Sequence, residues 1–366
     1  MEPRDLSAHA TYRAGRGIEE VARELGRDPA DFVKLASNEN PHGPAPAAIE
    51  AIRAGATEVH RYPTASHTDL AERLAAEWDV DPTQVWLGNG GDAALDYLAR
   101  AMLEPGDHVL VPEPGFAYYA MSARYHHGRV NSYQLDRAAG FPLTADTVLA
   151  DYDGERIVYL TSPHNPTGAT FAPGAVRSVA ERTAAETLVL VDEAYGEYAD
   201  TPSAVEMLEE RDDIAILRTF SKAYGLAGLR LGYALVPPAW ADAYAKINTP
   251  FSASEIACRA GLAALDDTDH VETSVETARW ARERLGSELS APVYESEGNF
   301  VLVDVSAVDA GEQETPAGAV AEAALRDGVI VRDCTSFGLP GCIRVTCGTR
   351  PDTRRAIEVL NEVFAG

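Results

Sequence analysis

The stretch TFSKAYGLAGLRLG (219–232) puts Ser221 beside Lys222 and places Arg230 eight residues further on, across Gly225 and Gly228. Of the 31 basic residues only Lys34, Lys222 and Lys246 are lysines. A guanidinium is too basic to form a working imine, whereas a lysine amine condenses with carbonyl groups. A lysine kept in a chain that otherwise uses arginine therefore points to covalent chemistry with an aldehyde. Neither Lys34 nor Lys246 has the flanking serine, glycines and arginine.

The other informative residues also follow apolar runs, where an open α/β sheet presents its ligand site. Trp86-Leu87 runs into GNGGDA (88–93), RIVYL into TSPHNPTG, LVLV into DEAY, and AILR into TFSK. GNGGDA opens a helix whose free N–H groups could hold a phosphate. It also fits the dinucleotide pattern GxGxxA, which makes an NAD-dependent dehydrogenase a rival from that stretch alone. That reading leaves the other strand ends without a role. Asp192 ends a strongly apolar run, where a carboxylate needs a cationic or hydrogen-bonding partner. Tyr195 follows three residues later, and Asn165 adds an amide. A phosphate cup, an acid for a ring nitrogen, a phenol and an amide for a ring hydroxyl, and a lysine for an aldehyde describe a pyridoxal 5′-phosphate site.

The elements that would position these residues alternate along the chain. Leu70, Leu74, Ala75 and Trp78 share one helical face, as do Leu95, Leu98 and Met102. β-rich runs at 108–114, 156–163, 187–195, 215–221 and 231–237 lie between helical stretches. The pattern predicts an α/β fold with a mainly parallel sheet flanked by helices. After about residue 250 a long helical stretch leads to runs at 299–305, 329–334 and 342–348 and a closing helix with Ile357, Leu360 and Phe364, which reads as a smaller α+β domain. The expected division is 1–45 as an N-terminal arm contributing to the small domain, 46–250 as the large cofactor-binding domain and 251–366 as the small C-terminal domain. The acidic stretch from Val308 to Gly318 is the long loop candidate.

Composition narrows the partners. A formal net charge of -26 repels the phosphates of nucleic acid. The opening MEPRDLSAHATYRAGRG has no apolar signal core, and no apolar run is long enough to span a bilayer, so a cytoplasmic protein with no membrane partner is expected. Four cysteines without CxxC spacing and nine histidines without a ligand pattern indicate neither disulfides nor a metal. Acid spread along the whole chain, with arginine in place of lysine, is expected of a surface adapted to high salt.

From end to end the chain resembles the fold-type-I aminotransferases, and within them the histidinol-phosphate aminotransferases. LASNENPHGP (35–44), RYP (61–63), PHNPTG (163–168), DEAY (192–195), TFSKAYGLAGLRLGY (219–233) and IRVTCGT (343–349) stand in the family's order. The resemblance implies a homodimer with shared active sites that acts on small amino and oxo-acid substrates. It implies amino transfer from L-histidinol phosphate to 2-oxoglutarate; threonine-phosphate decarboxylase is the nearest alternative. By the same resemblance Lys222 would bind the cofactor aldehyde as a Schiff base and shuttle the proton, and Asp192 would keep the ring nitrogen protonated. Tyr195 and Asn165 would bind the ring oxygen, and Phe116 would stack on the ring. Gly91, Asp92, Ser221 and Arg230 would hold the phosphate, with Tyr62 reaching it from the neighbouring subunit. Arg344 would grip the substrate carboxylate, with Arg332 and Tyr12 near the substrate phosphate.

Three positions depart from the family pattern. Gly91-Asp92-Ala93 replaces the usual Ser or Ala followed by Asp-Glu, His164 replaces a common Asn, and Phe116 lacks a hydroxyl. Backbone amides can still form the cup, so cofactor binding is expected to survive.

Overall fold

The computed structural model describes residues 6–7, 9–12, 15–64, 67–172 and 174–366. Among them, in chain order, the strands are β1 (Val33–Leu35), β2 (Val85–Asn89), β3 (His108–Glu113), β4 (Arg129–Gln134), β5 (Ile157–Thr161), β6 (Leu188–Asp192), β7 (Ile214–Thr219), β8 (Leu231–Leu235), β9 (Phe300–Asp304), β10 (Val329–Asp333) and β11 (Cys342–Thr346). A seven-stranded sheet has the order β2-β8-β7-β6-β5-β3-β4, and only β8 runs against its neighbours.

Every residue of β5, β6 and β7 is buried, as expected of parallel strands covered on both faces. The pleat divides β5 between two cores. Val158 and Leu160 pack with Leu70 and Leu74, while Ile157 and Tyr159 pack with Trp86, Leu95 and Leu98 on the opposite face. Ala257, Ala260 and Ala264, from the helix Glu255–Leu265, also join the Leu70 core. That helix therefore packs in the large sheet's core although it lies beyond residue 250.

A second sheet has the order β1-β10-β11-β9. β1 pairs in parallel with β10, so the N-terminal segment contributes a strand to the C-terminal sheet. Sequence pattern does not reveal β1, which is three residues long, or β4, whose RVNSYQ carries too few apolar residues for a buried run. The stretch expected to be loop from Val308 to Gly318 ends inside a helix, Pro316–Arg326. Proline supplies the first turn there, and the Thr315 side chain accepts the Gly318 N–H.

Candidate active site

A cavity of about 600 Å³ lies at the carboxyl ends of β5, β6 and β7 and meets the small sheet on its other side. Tyr12, Gly91, Asp92, Phe116, Asn165, Asp192, Tyr195, Ser221, Lys222, Arg230, Arg332 and Arg344 all line it. Tyr62 does not; it stands 83% exposed, with its ring 4.9 Å from that of Phe251. The register explains part of this convergence, since Thr161 is opposite Asp192 on β5 and β6, and Asp192 is opposite Leu217 on β7.

Asp192 is buried. Its Oδ1 accepts the Ala194 N–H at 2.9 Å and its Oδ2 accepts the Tyr119 hydroxyl at 2.5 Å. Burial pushes the carboxyl up to about 6, against the opposing pull of those two donors. Tyr195 receives the Asn38 side-chain N–H at 3.0 Å, and the Lys222 Nζ lies 5.5 Å from the Tyr195 ring centroid. Asn38 in turn exchanges hydrogen bonds with Thr346 of β11: its backbone N–H donates to Thr346 Oγ1, which donates to its Oδ1, each at 3.0 Å. The DEAY turn is therefore tied to the small sheet.

The turn is also braced from behind. Buried Arg218 on β7 donates to Glu193 at 2.8 Å and Glu197 at 2.7 Å, and its guanidinium carbon is 4.6 Å from a ring centroid of Trp78. A Cβ on Gly196 would come within 2.5 Å of Arg218 Nη1, so this close approach requires glycine.

The strand-to-helix turn after β2 is crowded at two glycines. A Cβ on Gly232 would fall 2.5 Å from the Gly91 nitrogen, and one on Gly90 (φ +80°) 2.5 Å from Arg230 Nη2. This leaves backbone N–H groups at the start of the helix Gly90–Met102 beside Arg230, and Arg230 Nη2 pairs with Asp92 at 2.9 Å. Burial, more than the opposing charge of Arg230, raises the Asp92 carboxyl. A bare, amide-lined turn beside a guanidinium fits a phosphate.

On the facing sheet the Arg344 side chain is 5% exposed or less in its surroundings of protein. Its Nη1 donates to Asn165 Oδ1 at 2.5 Å and its Nη2 to the Ala36 carbonyl at 2.8 Å, while its buried Nε has no partner among the described residues. Burial chiefly, with the charge of Arg332 nearby, holds its pKa below the ordinary arginine value. Arg332 donates to Ser336 at 3.1 Å. Tyr12 meets Phe116 edge-on at 6.3 Å. His164, at the departure from the family pattern, is fully buried against Thr167 at 2.9 Å, and burial pushes its pKa down to about 3, so it is neutral.

Several residues of the site escape sequence reasoning. Lys34 lines the cavity too, but its ammonium is paired with Glu39 at 2.9 Å. Tyr119, Thr161, Asn38 and Phe337 are also in the wall. The spacing of Phe116 and Tyr119, three apart at a helix start, is the signal that places both on one face.

The geometry fits pyridoxal phosphate: a cradle a Cβ would fill, a buried carboxylate, and a lysine whose ammonium makes no hydrogen bond to a described residue. Comparison with known proteins agrees. The family model for aminotransferase class I and II matches residues 30–360. The chain is 69% identical to a histidinol-phosphate aminotransferase of Haloarcula marismortui, across 100% of this chain and 99% of that protein. It is 66% identical to one of Natronomonas pharaonis, across 100% of each. A crystal structure of histidinol-phosphate aminotransferase from Sinorhizobium meliloti in complex with pyridoxal-5′-phosphate is 29% identical, with a TM-score of 0.86 over 96% of this chain and 95% of that one. Pyridoxal phosphate is the cofactor of this family. The sheet, the cavity and these likenesses together establish that the chain belongs to the aminotransferase class I and II family.

Proposed function

We propose that the protein transfers the amino group of L-histidinol phosphate to 2-oxoglutarate, giving imidazole-acetol phosphate and L-glutamate. One observation carries this reading. Arg332 and Arg344 face each other across β10 and β11 in the wall of the cavity that also holds Lys222. Two guanidiniums on one side of the reacting amine suit a substrate that is doubly anionic or carries a phosphate. The names of relatives at 61–69% identity support it.

When bound, pyridoxal phosphate supplies an electron sink that weakens the Cα–H bond of the substrate. The chain's own residues do the rest. Lys222 would hold the aldehyde carbon covalently and, once displaced by the substrate amine, carry the proton between the substrate Cα and the cofactor carbon. Asp192 would hold a proton on the ring nitrogen. Asn165 already gives its Oδ1 to Arg344, which leaves its N–H₂ as the donor toward the ring oxygen, beside the Tyr195 hydroxyl. The Gly91 and Asp92 amides, Ser221 and Arg230 would hold the phosphate, and Phe116 would stack on the ring. Arg344 would take the carboxylate, and Arg332 with Tyr12 the phosphate of the amino substrate.

Exposed Tyr62 fits this scheme as a phosphate ligand reaching into the neighbouring subunit of a homodimer. No helix among the described residues is long and apolar enough to cross a membrane, and a cytoplasmic location accords with a biosynthetic substrate. Initial rates with histidinol phosphate and 2-oxoglutarate test the reaction: parallel double-reciprocal lines are expected, because one site serves both substrates in turn. Intersecting lines, or carbon dioxide released from L-threonine phosphate without amino transfer, would refute it.

A further inference from the structure

Asp192 does not stand alone at its strand end. The Tyr119 hydroxyl is within 2.5 Å of Asp192 Oδ2 and 2.8 Å of Thr161 Oγ1. A phenol has one proton to give. With that proton committed to the carboxylate, the Thr161 hydroxyl must donate to the Tyr119 oxygen. The three groups form a directed chain, Thr161 to Tyr119 to Asp192, in the buried wall of the cavity: Tyr119 is 1% exposed, Thr161 2% and Asp192 4%. The phenol ring is fixed by its neighbours. It stacks on Tyr159 at 4.7 Å and 24°, and meets Phe116 edge-on at 5.5 Å and 86°. The amino-transfer scheme gives Tyr119 no role, yet the chain ends on the carboxylate that the scheme assigns to the ring nitrogen.

We infer that Tyr119, oriented by Thr161, is a positioning residue that keeps Asp192 ionised and aimed at the cofactor's ring nitrogen. The inference rests on the assignment of Asp192 to that nitrogen. Burial and the charges of Asp92 and Glu193 all favour the neutral acid, while Tyr119 and the Ala194 N–H are the two donors that oppose them. A hydrogen bond to a charged, buried acceptor is the stronger kind, so the loss of one of two such donors tips the balance toward protonation. Tyr119 itself is held in its neutral, donating form, chiefly by burial and then by the charge of Asp192. Tyr133 and Tyr159, both buried phenols, are further ionisable groups near it.

The test is the pH dependence of pyridoxal phosphate binding to apoenzyme, followed by fluorescence titration from acid to mildly alkaline pH, with melting temperatures measured alongside. In Tyr119→Phe the acid limb of the affinity profile is expected to move up by about one pH unit, so that affinity on that limb is about tenfold weaker at a given pH. Thr161→Val should move it the same way by less, and supplies the answer if Tyr119→Phe does not fold. Asp192→Asn separates the two layers. An unchanged acid limb in Asp192→Asn would refute the assignment of Asp192. A limb abolished in Asp192→Asn but superimposable on wild type in Tyr119→Phe and Thr161→Val, whatever their melting temperatures, would refute the role of Tyr119 alone.

Discussion

Arg332 of β10 and Arg344 of β11 are directly opposed in register, and the Phe337 ring lies 5.5 Å from one guanidinium carbon and 5.8 Å from the other. Like charges opposite each other on a sheet repel. The aromatic face between them offsets part of that repulsion, and an anionic substrate would offset the rest. Replacing Arg344 with Met should lower kcat/KM for 2-oxoglutarate, the substrate that carries an α-carboxylate, by about 100-fold, the loss of a charge-assisted bidentate contact. Arg332→Met should weaken the phosphate substrate by about 10-fold or more while sparing L-glutamate in the reverse reaction. Steady-state kinetics with each substrate separates the two.

Lys222→Arg should abolish turnover and leave the fold intact, because arginine keeps the charge but cannot form the imine. Lys34 shares the cavity, but its ion pair with Glu39 gives it a structural occupation. Lys34→Arg and Lys246→Arg should therefore retain activity. Absorbance of the bound cofactor and circular dichroism of the three variants check this.

Asp192 makes stability pH-dependent in the absence of cofactor. Its acid is raised from 3.8 to about 6, chiefly by burial, so the folded chain binds this proton more tightly than the unfolded chain. The cost is absent below the unfolded value, grows as pH rises through the folded one, and levels off at about 3 kcal/mol. Denaturation of apoenzyme should show wild type losing stability relative to Asp192→Asn between about pH 4 and about pH 6, with the difference constant above that. Saturating cofactor should shrink that difference, since a ring N–H pairs with the carboxylate.

Arg218→Met should destabilise the fold by about 3–5 kcal/mol, because Glu193 and Glu197 would remain buried without their cation. Arg218→Lys should cost less. Chemical denaturation measures both.

The charge of -26 predicts a melting temperature that rises with KCl as self-repulsion is screened. The halophilic archaea that supply the similar proteins fit this expectation. A protein most stable at low salt would contradict it.

Sequence alone made the chemistry legible wherever it resides in a local word. Lys222 is marked by its scarcity and its glycine-arginine flank, Asp192 by standing at the end of an apolar run, and the cradle by three glycines at the opening of a helix. The parallel sheet was legible as well, because strands buried on both faces read as unbroken apolar runs. β4 was not, since an edge strand needs few apolar residues, and neither was β1, too short to show a period. The tertiary structure alone decided which distant residues meet. Asn38 reaches Tyr195 across 157 positions and Arg344 reaches Asn165 across 179. Tyr119 finds Asp192 across 73, and Lys34 enters the cavity because β1 joins β10. Such contacts depend on strand order and register, and so on the packing of whole layers, which no short stretch of chain encodes by itself.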